Sequence, residues 1–213
     1  MKRTLFALLL SAVLAGCHNP EPDDRCLALL QGPVREVIPS DEGEMMLFDS
    51  LGRITYIADV DRNLNAREYE TRFAYVPWND GRVERIELVS RGSEMINRRR
   101  CAVKRSKGSV EMQYFKIRMS SGQRVFRGVC RTFQLQDGRL IRKQEPDSSV
   151  TEYYYAKGGK LPCKARFTDT RGNESVIEYE YPEIDPMGNW LTRVSNGPND
   201  ESVFESRMIR YYE

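Results

Sequence analysis

Histidine is almost missing from this sequence. A single imidazole, His18, stands among 213 residues. It sits in a polar, proline-broken stretch from Cys17 to Arg25 that has no apolar periodicity and reads as a solvated tether. That position argues against mechanisms needing an imidazole fixed within about 3 Å of a partner, such as Ser-His-Asp and Cys-His hydrolases or His-Glu-x-x-His zinc proteases. Close Cys-x-x-Cys pairs are missing too, which argues against a zinc site, and no glycine-rich loop precedes a helix to cradle a phosphate. EF-hand spacing is absent although Asp49, Asp137, Asp169 and Asp185 recur at turns, where Asp needs no metal. No apolar run reaches the roughly 20 residues that span a bilayer as a helix. The sequence therefore asks for no cofactor and no metal.

What is present begins at the first residues. Lys2 and Arg3 form a basic start, Leu5 to Leu14 is an apolar run of signal-peptide length, and small residues follow at Ala15 and Gly16. The tetrapeptide Leu14-Ala15-Gly16-Cys17 resembles the bacterial lipobox. That resemblance implies removal of residues 1–16, lipid on Cys17 as a membrane anchor, a flexible tether over 17–26, and one domain over 27–213. An ordinary cleaved secretory signal with a cysteine nearby is the competing reading, and both place the mature chain outside the cytoplasm. His18, rather than Asp, after Cys17 resembles enterobacterial lipoproteins bound for the outer membrane. Glu21, Asp23 and Asp24 resemble the surface-export signals of Bacteroidetes lipoproteins, so periplasmic and cell-surface orientations both stay open.

In an oxidising compartment, the four cysteines left after Cys17 (Cys26, Cys101, Cys130 and Cys163) form an even set that suggests two disulfides, with buried free thiols as the alternative. Hydrophobic residues at 40% and aromatics at 10% are enough to build a core. Without residues 1–16 the chain carries 31 basic and 31 acidic residues, yet the charge is not evenly spread. Arg98 to Lys143 holds fourteen Lys or Arg against Glu111 and Asp137, a local balance of +12.

Acidic, small or polar turns containing glycine recur, each followed by a basic or amide residue and usually an apolar one. They are Asp49-Ser50-Leu51-Gly52-Arg53-Ile54, Asn79-Asp80-Gly81-Arg82-Val83, Asp137-Gly138-Arg139-Leu140, Asp169-Thr170-Arg171-Gly172-Asn173 and Asp185-Pro186-Met187-Gly188-Asn189-Trp190. Glycine takes positive φ cheaply, and Asp or Asn hydrogen-bonds the turn backbone, so these are hairpin signals. Between them residues alternate as strands do: Phe115, Ile117 and Met119 oppose Tyr114, Lys116 and Arg118, while Ile177, Tyr179 and Tyr181 oppose Glu178 and Glu180. A short helix is expected from Asp24 to Gln31, stopped by Gly32-Pro33. The fold class is thus all-β, built of successive antiparallel hairpins behind a short N-terminal helix. Phe48-Asp49-Ser50-Leu51-Gly52-Arg53-Ile54 and the segment Tyr181 to Val194 resemble YD or RHS-type repeats. That resemblance implies an open sheet or short β-solenoid of hairpins, as in small Bacteroidetes lipoproteins.

Function is read from charge and compartment. Within the +12 block, Arg98, Arg99, Arg100, Lys104, Arg105, Lys116, Arg118, Arg127 and Arg131 are the candidate binding residues for an anionic envelope polymer or an acidic protein, since long basic side chains reach phosphates and carboxylates. Alternation places Lys116 and Arg118 on one strand face and Arg127 with Arg131 on one side of the next strand. Export argues against nucleic acid as the partner. A non-catalytic envelope protein that binds or scaffolds a surface component is the leading expectation. A glycan hydrolase using paired carboxylates, for instance Glu178 and Glu180, is the alternative, with Trp78 and Trp190 as sugar-stacking candidates.

Overall fold

The computed structural model describes residues 23–61, 65–198 and 201–213. Residues 1–16, Cys17 and His18 lie outside that range. A one-turn helix, α1 (Asp24–Leu27), precedes the strands β1 (Val34–Pro39), β2 (Gly43–Phe48), β3 (Ile54–Val60), β4 (Ala66–Pro77), β5 (Val83–Arg91), β6 (Glu94–Ser106) and β7 (Ser109–Ile117). They continue with β8 (Arg124–Gln136), β9 (Arg139–Gln144), β10 (Val150–Tyr155), β11 (Pro162–Thr168), β12 (Glu174–Ile184), β13 (Trp190–Asn196) and β14 (Ser202–Tyr211). Among the described residues, each strand pairs antiparallel with its neighbours in sequence and β1 pairs with β14, so the fourteen strands close into a barrel.

The all-β, antiparallel expectation holds, whereas the open sheet or solenoid is corrected to a closed barrel. An open sheet would leave β1 and β14 as unpaired edges with bare backbone groups. Here Val37 faces Ile209 and Pro39 faces Arg207 across the seam. The five glycine turns fall between strands as expected, and Gly52, Gly81, Gly138, Gly172 and Gly188 all have positive φ. The turn chemistry repeats as well. Asp49 Oδ1 accepts hydrogen bonds from the Leu51 and Arg53 N–H groups, and Asp169 Oδ1 accepts them from those of Arg171 and Asn173.

Cross-strand register separates lumen from outer wall. Arg85, Cys101 and Tyr114 lie abreast on the face that packs against α1, while Ile86, Arg100 and Phe115 lie abreast on the opposite face. A barrel this wide has a lumen that wall side chains alone do not fill. The N-terminal segment takes up part of that space. Cys26, Leu27 and Leu29 pack on a cluster of Cys101, Val103, Val110, Met112, Phe133, Leu135 and Leu140, and Leu30 joins a second cluster with Val34, Val37, Phe48 and Ile54. Burying one such leucine contributes about 1.5–3 kcal/mol.

Folded structure therefore starts earlier than Leu27. Asp23, assigned from sequence to the tether, caps α1 by accepting from the Cys26 N–H, and Asp24 is buried. The helix is also shorter than expected. Leu29 turns left-handed at φ 58°, its N–H bonding to the Cys26 carbonyl and that of Leu30 to the Arg25 carbonyl, a closure that ends the helix at once.

The expected disulfides are absent: all four cysteines are free. The barrel wall divides them into two lumenal and two outer thiols. Cys26 and Cys101 face the lumen core, whereas Cys130 stands across from Gln113 on the outer face and Cys163 is exposed two strands beyond β9.

Candidate functional site

The two ends of the barrel differ. Because odd-numbered strands all run away from α1, the β2–β3, β4–β5, β8–β9 and β12–β13 turns surround the N-terminal segment at one end. Two polar clasps hold it there. Asp24 Oδ1 receives Arg105 Nη2 at 2.6 Å, and its Oδ2 receives the Ile54 N–H at 2.9 Å and the Tyr75 hydroxyl at 2.7 Å. Burial alone would raise the Asp24 pKa. The charges of Arg105 and Arg85 and the hydrogen bonds from Arg105 and Tyr75 outweigh it and hold the carboxyl below its ordinary value. The second clasp is Asn189, fully buried, whose Oδ1 accepts the Gln31 N–H at 2.7 Å while its Nδ2 donates to the Gln31 carbonyl at 2.9 Å.

Charged side chains line the lumen in pairs: Arg85 with Glu87 at 2.5 Å, Arg131 with Glu145 at 2.6 Å, and Arg193 with both oxygens of Glu205. Beneath the plug, a cavity of about 350 Å³ extends toward the β1–β2 turn, lined by Leu29, Val37, Met46, Trp190, Arg193 and Arg207 together with four carboxylates. The sequence singled out Trp190 and Arg131 but not Arg193 or Arg207 beside them. An inward Arg or Glu on an alternating strand carries the same pattern as an outward one, and Glu205, Arg207, Ile209 and Tyr211 would have been the usable signal only with the barrel's closure in hand.

The nine sequence-derived basic candidates do not form one surface. Arg105 and Arg131 turn into the lumen and are spent on Asp24 and Glu145, and Arg100 is paired with Glu84 at 3.1 Å. Lys104 is exposed but lies near the plugged end, opposite Glu111. Arg98, Arg99, Lys116, Arg118 and Arg127 are all exposed on the adjoining β5–β6 and β7–β8 hairpins at the other end, with Arg98 on the face of Arg100 and with Arg99 and Lys116 on the face of Cys101 and Tyr114. None of these five has an ion pair among the described residues. Met95, Ile96, Met119, Val125 and Phe126 are exposed among them.

The outer wall carries charge across its width. Glu152 pairs with Arg166, Arg166 reaches Glu174, Lys164 lies 4.0 Å from Glu178, and Arg210 pairs with Glu36. A barrel ringed by lipid needs an outward apolar band about 25 Å tall, where Arg or Lys costs about 2–4 kcal/mol at mid-depth. This wall suits water instead. Glu178 and Glu180 stand on it, exposed, away from the lumenal cavity. Trp78 packs against Phe115 and under Arg82 and Arg124, while Trp190 is buried inside. Among the described residues, no three His, Cys, Asp or Glu side chains gather to hold a metal.

Fold and site thus define a plugged, up-and-down antiparallel barrel whose lumen combines an apolar core around the plug with charged pairs, and whose unplugged end carries exposed basic side chains. No protein-family model matches the chain, and no curated protein matches it.

Proposed function

We propose that this chain is a lipid-anchored, non-catalytic envelope protein that binds an anionic surface polymer through its unplugged rim. The observation that carries this reading is the placement of Arg98, Arg99, Lys116, Arg118 and Arg127 on two adjoining hairpins, exposed and, among the described residues, without an ion pair, beside exposed apolar side chains. Guanidinium and ammonium groups on long stems recognise phosphate and carboxylate, and apolar neighbours lower the local dielectric. The lipobox-like Leu14-Ala15-Gly16-Cys17 supports anchoring at Cys17, and the water-suited outer wall supports attachment to an outer membrane by lipid rather than insertion into it. Asp23 lies at the plugged end, so a tether running back to Cys17 presents the rim away from the anchoring membrane.

Two experiments test this. Cys17→Ala should yield a protein released from membranes without detergent. The triple variant Lys116→Glu, Arg118→Glu and Arg127→Glu should lose retention on an anionic polysaccharide column at low salt, while wild type elutes as ionic strength shortens the Debye length from about 10 Å at 0.1 M to about 3 Å at 1 M. Equal retention of wild type and folded triple variant rejects the rim as the binding surface. Retention on anionic phospholipid vesicles but not on polysaccharide would replace polymer with lipid phosphate.

A further inference from the structure

The turns at the unplugged end are of two kinds. Asp41 and Glu42 stand in the β1–β2 turn, Asp61 in β3–β4, Asp147 in β9–β10, Asp169 in β11–β12 and Glu201 in β13–β14, with no large apolar side chain beside them among the described residues. The β5–β6 and β7–β8 hairpins differ. Their strands β6 and β8, thirteen residues each, are the longest of the barrel, and their tips carry Met95 at 61% exposure, Ile96 at 46% and Met119 at 97%. Lys116 to Arg127 contains no acid, and Glu94, the acid at the other tip, stands opposite Arg91. Behind the tips, apolar and basic side chains face each other across the strands: Leu88 opposite Arg98, Val125 opposite Lys116 and Ile117 opposite Arg124. Arg98 on the outer face and Arg99 with Lys116 on the lumenal face put positive charge on both sides of the tips. Apolar side chains left this bare gain when an apolar group covers them, and methionine adapts its shape to many such groups.

We infer that the ligand of this end is an anionic amphiphile, a saccharide polymer bearing fatty acyl chains beside its phosphate or carboxylate groups; this rests on the basic rim being the binding surface and names the class of polymer it takes. The acyl chains cover Met95, Ile96 and Met119, while Arg98, Arg99, Lys116, Arg118 and Arg127 hold the anions through long stems. A plain anionic polymer would use the cations and leave the apolar tips bare. An uncharged lipid would cover the tips and leave the cations unanswered. The acidic turns around the rest of the end repel the same ligand and confine it to these two hairpins.

The test compares dextran sulfate, dextran sulfate carrying octanoyl esters at equal sulfate density, and uncharged octanoyl dextran. At low salt the wild-type protein should bind the acylated sulfate about tenfold more tightly than the plain one, a factor that covering one methionine-sized side chain supplies. It should not retain the uncharged polymer. The variant Met95→Ser, Ile96→Ser and Met119→Ser should bind both sulfates as wild type binds the plain one. Equal binding of the two sulfates by wild type, retention of the uncharged polymer as strong as that of the acylated sulfate, or a tip variant that keeps the acyl preference overturns the inference. The wild-type comparison needs no substitution, so it decides even if the serine variant fails to melt cooperatively. Binding of neither sulfate rejects the basic rim itself, whereas binding of the plain sulfate without acyl preference leaves the rim standing and rejects only the acyl-bearing ligand.

Discussion

The plugged and unplugged ends of the barrel use the same residue types to opposite purposes. At the plugged end, arginine, aspartate and asparagine are buried or half-buried and engaged with partners: Arg105 on Asp24, Asn189 on Gln31, Asp49 on its own turn. At the unplugged end, Arg98, Arg99, Lys116, Arg118 and Arg127 are exposed and, among the described residues, without an ion pair, beside bare methionine, isoleucine and phenylalanine. The contrast teaches that charge content alone does not locate function here. Arg105 and Arg98 belong to one basic run in sequence, yet one is a structural counterion and the other is free to meet a ligand. Substitutions at the plugged end should therefore read out in stability, and those at the unplugged end in binding.

The largest stability effect is expected from Asp24→Ala, which removes the carboxylate on which Arg105, Tyr75 and the Ile54 N–H converge. Breaking a buried ion pair from one side costs about 3–5 kcal/mol. Denaturant melts of the two proteins measure it, and a loss below about 1 kcal/mol, the ceiling for most exposed pairs, would show that the clasp is not holding the plug. The same carboxyl gives a pH dependence of fixed sign. Its folded pKa lies below the unfolded 3.8, so its contribution is complete above that value and disappears as pH falls through the lower, folded pKa. Asp24→Asn should flatten that part of the acid limb of the stability profile and leave the neutral limb parallel to wild type.

Gly52→Val comes next. Gly52 has φ +78°, and a Cβ there would collide with the Asp23 carboxylate and the Arg25 guanidinium, whose chain docks on this turn through the Asp24 N–H to Gly52 carbonyl bond. Backbone strain alone costs about 1–3 kcal/mol, and displacement of the plug adds to it. Gly81→Val has the same positive φ but open space around it, so it should cost the strain without the displacement. Comparable losses at the two positions would argue that the plug does not seat on the β2–β3 turn. Asn189→Ala, which strands the Gln31 backbone groups, should cost about 1–3 kcal/mol. Rim substitutions should each stay within about 0.5 kcal/mol, as thermal or chemical melts of Lys116→Glu, Arg118→Glu and Arg127→Glu would show.

Much of the wall was legible in sequence. Each glycine of the turn series sits where a strand reverses, because positive φ and a side-chain acceptor are local demands that local residues meet. Tyr114 and Phe115 do lie on opposite faces. Which face is inside was not legible, since alternation supplies two faces and no label. Phe115 was grouped as apolar, yet it stands on the outer wall, buried there under Arg124, Trp78 and Phe126. Closure was hidden for a related reason: it rests on pairing Val34–Pro39 with Arg207–Tyr211, almost the full length of the chain apart. Arg193 and Arg207 were invisible as lumenal side chains because a charged residue facing in and one facing out impose one pattern. Asp24 read as a solvated helix start at the end of the tether, because nothing in the stretch Glu21 to Arg25 signals that one of its acids faces an arginine of the wall.

The smallest effect is expected from reductant, and it sharpens the comparison of the two ends through thiol access. With all four cysteines free and divided between lumen and outer surface, adding reductant should leave the melting temperature unchanged. The thiols are also poorly reactive where they are enclosed. Burial pushes Cys101 up to about 11, and burial with the neighbouring Asp23 charge pushes Cys26 up to about 11, so little thiolate is present at neutral pH. Cys26 further donates its Sγ–H to the Gly138 carbonyl at the β8–β9 turn. Alkylation of the native protein should therefore label exposed Cys163 first, Cys130 more slowly, and Cys26 and Cys101 only as the N-terminal segment leaves the lumen. Asp24→Ala should speed labelling of Cys26 and Cys101 without changing that of Cys163, and the rim triple variant should change none of the four rates. A disulfide-linked peptide in non-reduced digests, or Cys101 labelled as fast as Cys163 in wild type, would mean that the plug does not close this end of the barrel.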